Sequence, residues 1–230
     1  MNKIYTVLLF SFFTGNTIVT PKNNIKLTVV KEPNLGKNNN TDTLVYNTDN
    51  FKFASKAFNF YNKNVDTITL LQLIKVCDYY GLNDEHNFKM CVGQMLVETG
   101  GKHYKNGKVV VGYGGHIGIS QISPTSGLAV MKKIVTNDEF NIIKKLSNDT
   151  LMVKPKTHNE SVKFLSDLNK NLAFWGYIMS RNIKIMHNIE SALVRYNAGP
   201  GGYQSYVNSG GSVSNHQYII KIKNKLSKIN

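Results

Sequence analysis

The chain has 230 residues, 41% of them hydrophobic and 10% aromatic, so it can bury a real core and is not disordered throughout. Its 28 Lys and Arg against 14 Asp and Glu give a net charge of +14, which points to a polyanionic partner: nucleic acid, an anionic membrane or a charged wall polymer. Two cysteines exclude both a disulfide framework and a four-thiolate zinc site.

In chain order, the first segment reads as an export signal. Lys3 supplies a positive start and Ile4 to Phe13 is an almost unbroken apolar run, closed by Thr14-Gly15-Asn16. Such a run fits a signal-peptide core and falls short of the ~20 residues that span a bilayer. Residues 1–20 are therefore expected to be a signal peptide or, since no Ala-x-Ala cleavage site is present, an uncleaved signal-anchor. Residues 21–64, rich in Asn, Lys and Thr, read as a polar spacer whose aromatic end (Phe51, Phe53, Phe58, Phe60) docks on the domain that follows.

That domain is expected over 65–230 and is mostly α. Ile68, Leu70, Leu71, Leu73, Ile74, Cys77 and Tyr80 recur at helical spacing before Gly81. Asp84 is placed to cap a second helix over 85–99, which Gly100-Gly101 ends. Cys77 and Cys91 fall at matching places in this antiparallel helix pair, as a disulfide or as two buried thiols. Asn106-Gly107 is a hairpin turn with Val109-Val110-Val111 as one arm. Further helices are expected over 125–135, 138–146, 162–179, 189–196 and 216–225, with Ala198-Gly199-Pro200 a sharp stop.

Three stretches could carry chemistry. Glu98 ends the second helix beside the uncharged Cys91, Gln94 and Met95, where poor solvation raises a carboxyl pKa and suits it to protonate a leaving group. The stretch from Gly112 to Pro124 is a glycine-rich turn leading into Gln121, whose amide can both donate and accept. Tyr196-Asn197 closes an apolar helix ahead of Ala198-Gly199-Pro200-Gly201. The six histidines show no metal-ligand spacing and read as surface residues. Asp84, Glu85, Asp138, Glu139, Glu160 and Glu190 read as caps or solvated helix residues.

Taken in order, Glu98-Thr99, Gly118-Ile119-Ser120-Gln121-Ile122-Ser123-Pro124 and Arg195-Tyr196-Asn197-Ala198-Gly199-Pro200-Gly201 resemble the motifs of the soluble lytic transglycosylase family, a lysozyme-like group acting on peptidoglycan. The likeness runs from about residue 65 to 225, with Asn171-Leu172 similar to the family's Asn-Ile. Thr99 stands where the family has Ser, Ser120 where it has Met, and the second Glu of larger relatives is missing near the C-terminus. The resemblance implies a lysozyme-like domain with Glu98 as its single catalytic acid. It implies sugar contacts from Ser120, Gln121, Tyr196 and Asn197, with Tyr113 and Tyr196 packing on pyranose rings. Also implied are peptidoglycan glycan strands as substrate, no cofactor, no metal, and a monomer working in the periplasm or envelope. Wall turnover, a secretion apparatus and phage machinery are the settings it leaves open. A hydrolytic muramidase and a non-catalytic wall-binding protein are the competing readings. Nucleic acid is disfavoured as the partner, because the lysines are dispersed and only Arg181 and Arg195 offer a guanidinium.

Overall fold

Local punctuation sets the helix ends in the computed structural model, which describes residues 48–62 and 66–229. Of the earlier chain it describes only a short parallel pairing of β1 (Val7–Leu8) with β2 (Leu27–Thr28). The expected signal segment and the first part of the spacer otherwise lie outside the described residues. The end of the spacer does not: α1 spans Thr48–Tyr61 and packs within the helical unit that begins at Asp49. Ala54, Ala57 and Phe58, at helical spacing, are fully buried there. Asn50 donates to the Asn83 carbonyl at 2.9 Å and Tyr61 to the Lys225 carbonyl at 2.7 Å.

Helix α2 (Thr67–Tyr79) starts on Asp66, whose carboxylate accepts from the Ile68 amide, and Gly81 turns the chain at φ 69°. Helix α3 (Glu85–Thr99) starts on the Asp84 cap and ends at Gly100 and Gly101, both at positive φ. Asn106 and Gly107, also at positive φ, turn the hairpin of β3 (Tyr104–Lys105) and β4 (Lys108–Val109). Then come α4 (Pro124–Lys133) and α5 (Asn137–Ser147), the latter opened by a capping box of Thr136 and Glu139.

The single helix expected over 162–179 is two helices. Thr157 starts α6 (His158–Ser166) early, and Asp167 breaks the run by capping α7 (Leu168–Met186) through the Lys170 amide. The stop at 198–200 is a break inside a longer element. Helix α8 (Ile189–Asn208) leaves helical geometry at Gly199, φ 71° and ψ 168°, and restarts at Pro200. Helix α9 (Gln217–Leu226) closes the fold. The described residues are thus mostly α with one small antiparallel hairpin, as the sequence patterns anticipate. No described helix is long and apolar enough to cross a membrane.

Helix α7 occupies the centre, with Leu172, Ala173, Phe174 and Trp175 buried against its neighbours α2, α5, α6 and α8. Two glycines set the closest crossings. A Cβ on Gly176 would strike Val76 of α2, and one on Gly93 would lie 2.6 Å from Ile222 Cγ2 of α9. The second crossing lays α9 along α3, so that Tyr218, one turn before Ile222, comes over the end of α3. Cys77 and Cys91 do meet across α2 and α3, as free buried thiols; burial and the neighbouring Cys91 push the Cys77 thiol well up.

Candidate active site

Glu98 stands at the last turn of α3, half-buried, with its Oε1 accepting a hydrogen bond from the Tyr218 hydroxyl. Burial pushes its carboxyl above the ordinary range, and the phenol's hydrogen bond pulls it part of the way back. Tyr218 is itself buried; desolvation and the nearby carboxylate push its phenol well up, so it stays a neutral donor. The buried Gln94 side chain adjoins the Tyr218 phenol, and its Oε1 accepts from the Trp175 indole at 3.0 Å.

The glycine-rich loop reaches this point through residues 117–122. Thr99, next to Glu98, faces the Ile119 carbonyl at 3.5 Å. The Tyr196 hydroxyl donates to the Ser120 carbonyl at 2.8 Å, and its phenol is pushed up first by burial and then by the charge of Glu98. Glu98, Ser120, Tyr196 and Tyr218 therefore converge, from three helices and one loop.

The loop is held from beneath by two fully enclosed side chains. Asn171 takes the Ser120 hydroxyl (2.6 Å) on its Oδ1 and gives its Nδ2 to the carbonyls of Ile117 (3.1 Å) and Leu165 (3.0 Å). His103 accepts the Ile119 amide on Nδ1 (3.2 Å), so its Nε2 carries the proton donated to the Ser166 carbonyl (3.0 Å). Burial lowers the His103 pKa, keeping the ring neutral. The surface reading of the histidines is thus corrected for His103, which is 3% exposed. Its partners lie 16 and 63 residues away, so no local pattern marks it.

The other expected site residues divide. Ser120 is fully buried, and its hydroxyl serves Asn171 rather than a ligand. Gln121 takes φ 52° and folds its Nε2 back onto the Gly118 carbonyl at 2.7 Å, while its Oε1 fills the space where a side chain on Gly112 would sit. The amide thus shapes the loop beside Glu98. Tyr113 is wholly exposed and Asn197 exposed; neither shares a hydrogen bond with Glu98, Tyr196 or Tyr218. Tyr218 is the residue that motif reading misses, and its only signal is a place on the apolar stripe of α9.

Several other carboxylates are engaged elsewhere. Glu85 pairs with Lys89 (2.6 Å), Asp149 with Lys170 (2.9 Å) and Glu190 with Lys223 (2.7 Å), while Asp84, Glu139 and Asp167 bond helix N-termini. No group of three or more His, Cys, Asp or Glu among the described residues is placed to hold a metal ion. Comparison with known proteins finds no matching family model, curated protein or solved structure.

Proposed function

We propose that the chain is a peptidoglycan lytic transglycosylase with Glu98 as its single acid and base. One observation carries this reading: a carboxyl with a raised pKa, gripped through one oxygen by a neutral phenol, with no second carboxylate among the described residues acting on it. Hydrolysis by two carboxylates places the second acid within roughly 5–10 Å of the first. A lone acid suits a route in which the substrate supplies its own nucleophile.

In that route Glu98, protonated on Oε2, gives its proton to the oxygen joining N-acetylmuramic acid to N-acetylglucosamine as the C1–O bond breaks. The acetamido oxygen of the muramic sugar closes on C1. Glu98, now a carboxylate, takes the proton from the C6 hydroxyl, and O6 displaces the acetamido oxygen to form the 1,6-anhydro ring. The acid is restored and no water is consumed. In this reading Tyr196 and the backbone at Ser120 bound the acid, and Gln121, Asn197 and the exposed ring of Tyr113 supply the sugar contacts. An exported enzyme of this kind uses its +14 charge against the carboxylates and phosphates of the envelope.

The test is digestion of purified sacculi followed by mass analysis of the soluble products. The expected products carry anhydro ends, and Glu98→Gln lowers their release by at least about 100-fold. Products heavier by one water would make the enzyme a muramidase. Tight sacculus binding with no release by the wild type would make it a non-catalytic wall binder.

A further inference from the structure

A cavity of about 340 Å³ lies where α2, α5 and α7 meet and is lined in part by Tyr80, Glu139, Tyr177, Ser180, Arg181 and Lys184. It is separate from the Glu98 site. Tyr80 follows α2 just before the turn into α3, and Glu98 ends α3; with about 1.5 Å of rise per residue, the 15 residues of α3 put ~20 Å between them.

Its lining departs from ordinary packing in two ways. The buried Tyr80 hydroxyl makes no hydrogen bond, and the buried Tyr177 hydroxyl lies between Glu139 and Arg181, both of which act on it. An orphaned group such as the Tyr80 hydroxyl costs about 1–3 kcal/mol when nothing fills its place. Both phenols are fixed in position: the Tyr80 ring lies over Gly176, 2.8 Å from where a Cβ would stand, and the Tyr177 ring stacks on Phe174. The second departure is charge. Tyr177, Ser180, Arg181 and Lys184 share one face of α7; among the described residues neither cation comes within 4.0 Å of a carboxylate oxygen, while the Arg181 charge acts on Glu139 and on the Tyr177 phenol. Glu139 is the one carboxylate of the lining, and the capping box of α5 fixes it in place.

The occupant this lining suits is small, hydroxylated and anionic. Two cations against one carboxylate favour an anion, and two phenols and a carboxylate match ring hydroxyls. The volume is at the small end of ligand cavities (~300–1,000 Å³), enough for one sugar ring but not a nucleotide. A purely apolar guest would leave the Tyr80 hydroxyl and the Lys184 ammonium unmatched. We propose that this cavity binds a single sugar ring bearing one carboxylate or phosphate, the anion on Arg181 and Lys184 and the hydroxyls on Tyr80, Tyr177 and Glu139. The site is independent of the chemistry at Glu98.

Calorimetric titration of the full-length chain tests it with glucuronate and glucose 6-phosphate as probes, beside glucose and inorganic phosphate. At least one anionic sugar binds saturably, and glucose and phosphate each bind at least about tenfold more weakly. Arg181→Gln and Tyr177→Phe each weaken the anionic sugar about tenfold. The first alters an exposed residue and the second removes only a hydroxyl, so circular dichroism is expected to match the wild type. Glu98→Gln leaves this binding unchanged even where it abolishes sacculus digestion, which separates the two sites. Absence of saturable binding by both sugars, binding indifferent to both substitutions, or phosphate binding as tightly as the sugars would overturn the proposal.

Discussion

Two glycine-bearing stretches adjoin site residues in the chain, one carrying Ser120 and one following Tyr196, and they are built in opposite ways. Residues 117–122 are pinned from a distance: His103, Asn171 and Tyr196 reach in from other elements and satisfy their backbone groups. Residues 199–211 are largely exposed and bond to their own neighbours, as Gln204 does to Asn208 and Tyr206 to the Ser212 carbonyl. A positive-φ glycine serves both. At Gly118 a Cβ would meet His103 Cε1 at 2.5 Å and Asn171 Nδ2 at 2.7 Å, whereas at Gly199 it would meet nothing within 4 Å. The first stretch therefore has its conformation imposed by the core, and the second by local backbone preference alone. Precision at the site comes from the imposed one.

Removing the core's hold is the strongest way to break this contrast. Asn171→Ala strands the buried Ser120 hydroxyl and amide and the Leu165 carbonyl, while the Ile117 carbonyl keeps the Ile122 amide at 3.3 Å. At about 1–3 kcal/mol per orphaned group, the expected loss is at least ~3 kcal/mol, or roughly 10 °C in Tm by thermal melting. A loss under about 1 kcal/mol would mean that the loop holds itself. Gly118→Ala comes next, combining the left-handed cost with collision against two enclosed side chains, for about 2–4 kcal/mol by urea denaturation.

How far the sequence reveals this design depends on how far apart the cooperating residues lie. Helix α3 is legible to its ends because Asp84 and Gly100-Gly101 act on their own neighbours, and the hairpin because Asn106-Gly107 does the same. The break at Asp167 is hidden, since a cap set within a continuous apolar rhythm looks like one more polar face residue. Helix α1 is missed because Ala54, Ala57 and Phe58 form a stripe only three residues deep in a segment dominated by Asn and Lys. At the site, Glu98, Ser120 and Tyr196 are legible as ordered motifs, and the structure brings them together. Tyr218 is not, because it meets Glu98 across 120 residues through the Gly93–Ile222 crossing. His103 is hidden for the same reason.

Glu98 sharpens the contrast through pH. Below the ordinary carboxylate range the group is protonated in both folded and unfolded chains, and its burial costs no charge penalty. As pH rises, the unfolded chain ionises first; through the raised folded pKa the native state must then hold a half-buried charge, and stability falls. Glu98→Gln, neutral throughout, is therefore expected to raise Tm by a few degrees at pH 8 and to lose that advantage near pH 4. Melting both proteins across that range checks the sign, and a gain that grows in acid would contradict the shift.

The smallest effect uses the same substitution as the second, with the sign reversed. Gly201 lies in the first turn after Pro200, in a helical segment with no positive φ, and a Cβ there meets nothing within 4 Å. Alanine in such a place removes backbone freedom from the unfolded chain and stabilises a helix by about 0.5–1 kcal/mol. The measured gain depends on whether this half of α8 unfolds with the rest. If it opens by itself, as its exposed and locally bonded surface favours, the added helicity deepens only that local equilibrium and global denaturation registers almost none of it. Hydrogen exchange at 201–208 separates the two cases. Slower exchange with an unchanged denaturation midpoint marks a segment that moves independently of the site, whereas a midpoint shifted by the full amount joins it to the core. Loss of stability in Gly201→Ala would erase the distinction drawn between the imposed and the locally determined glycine segments.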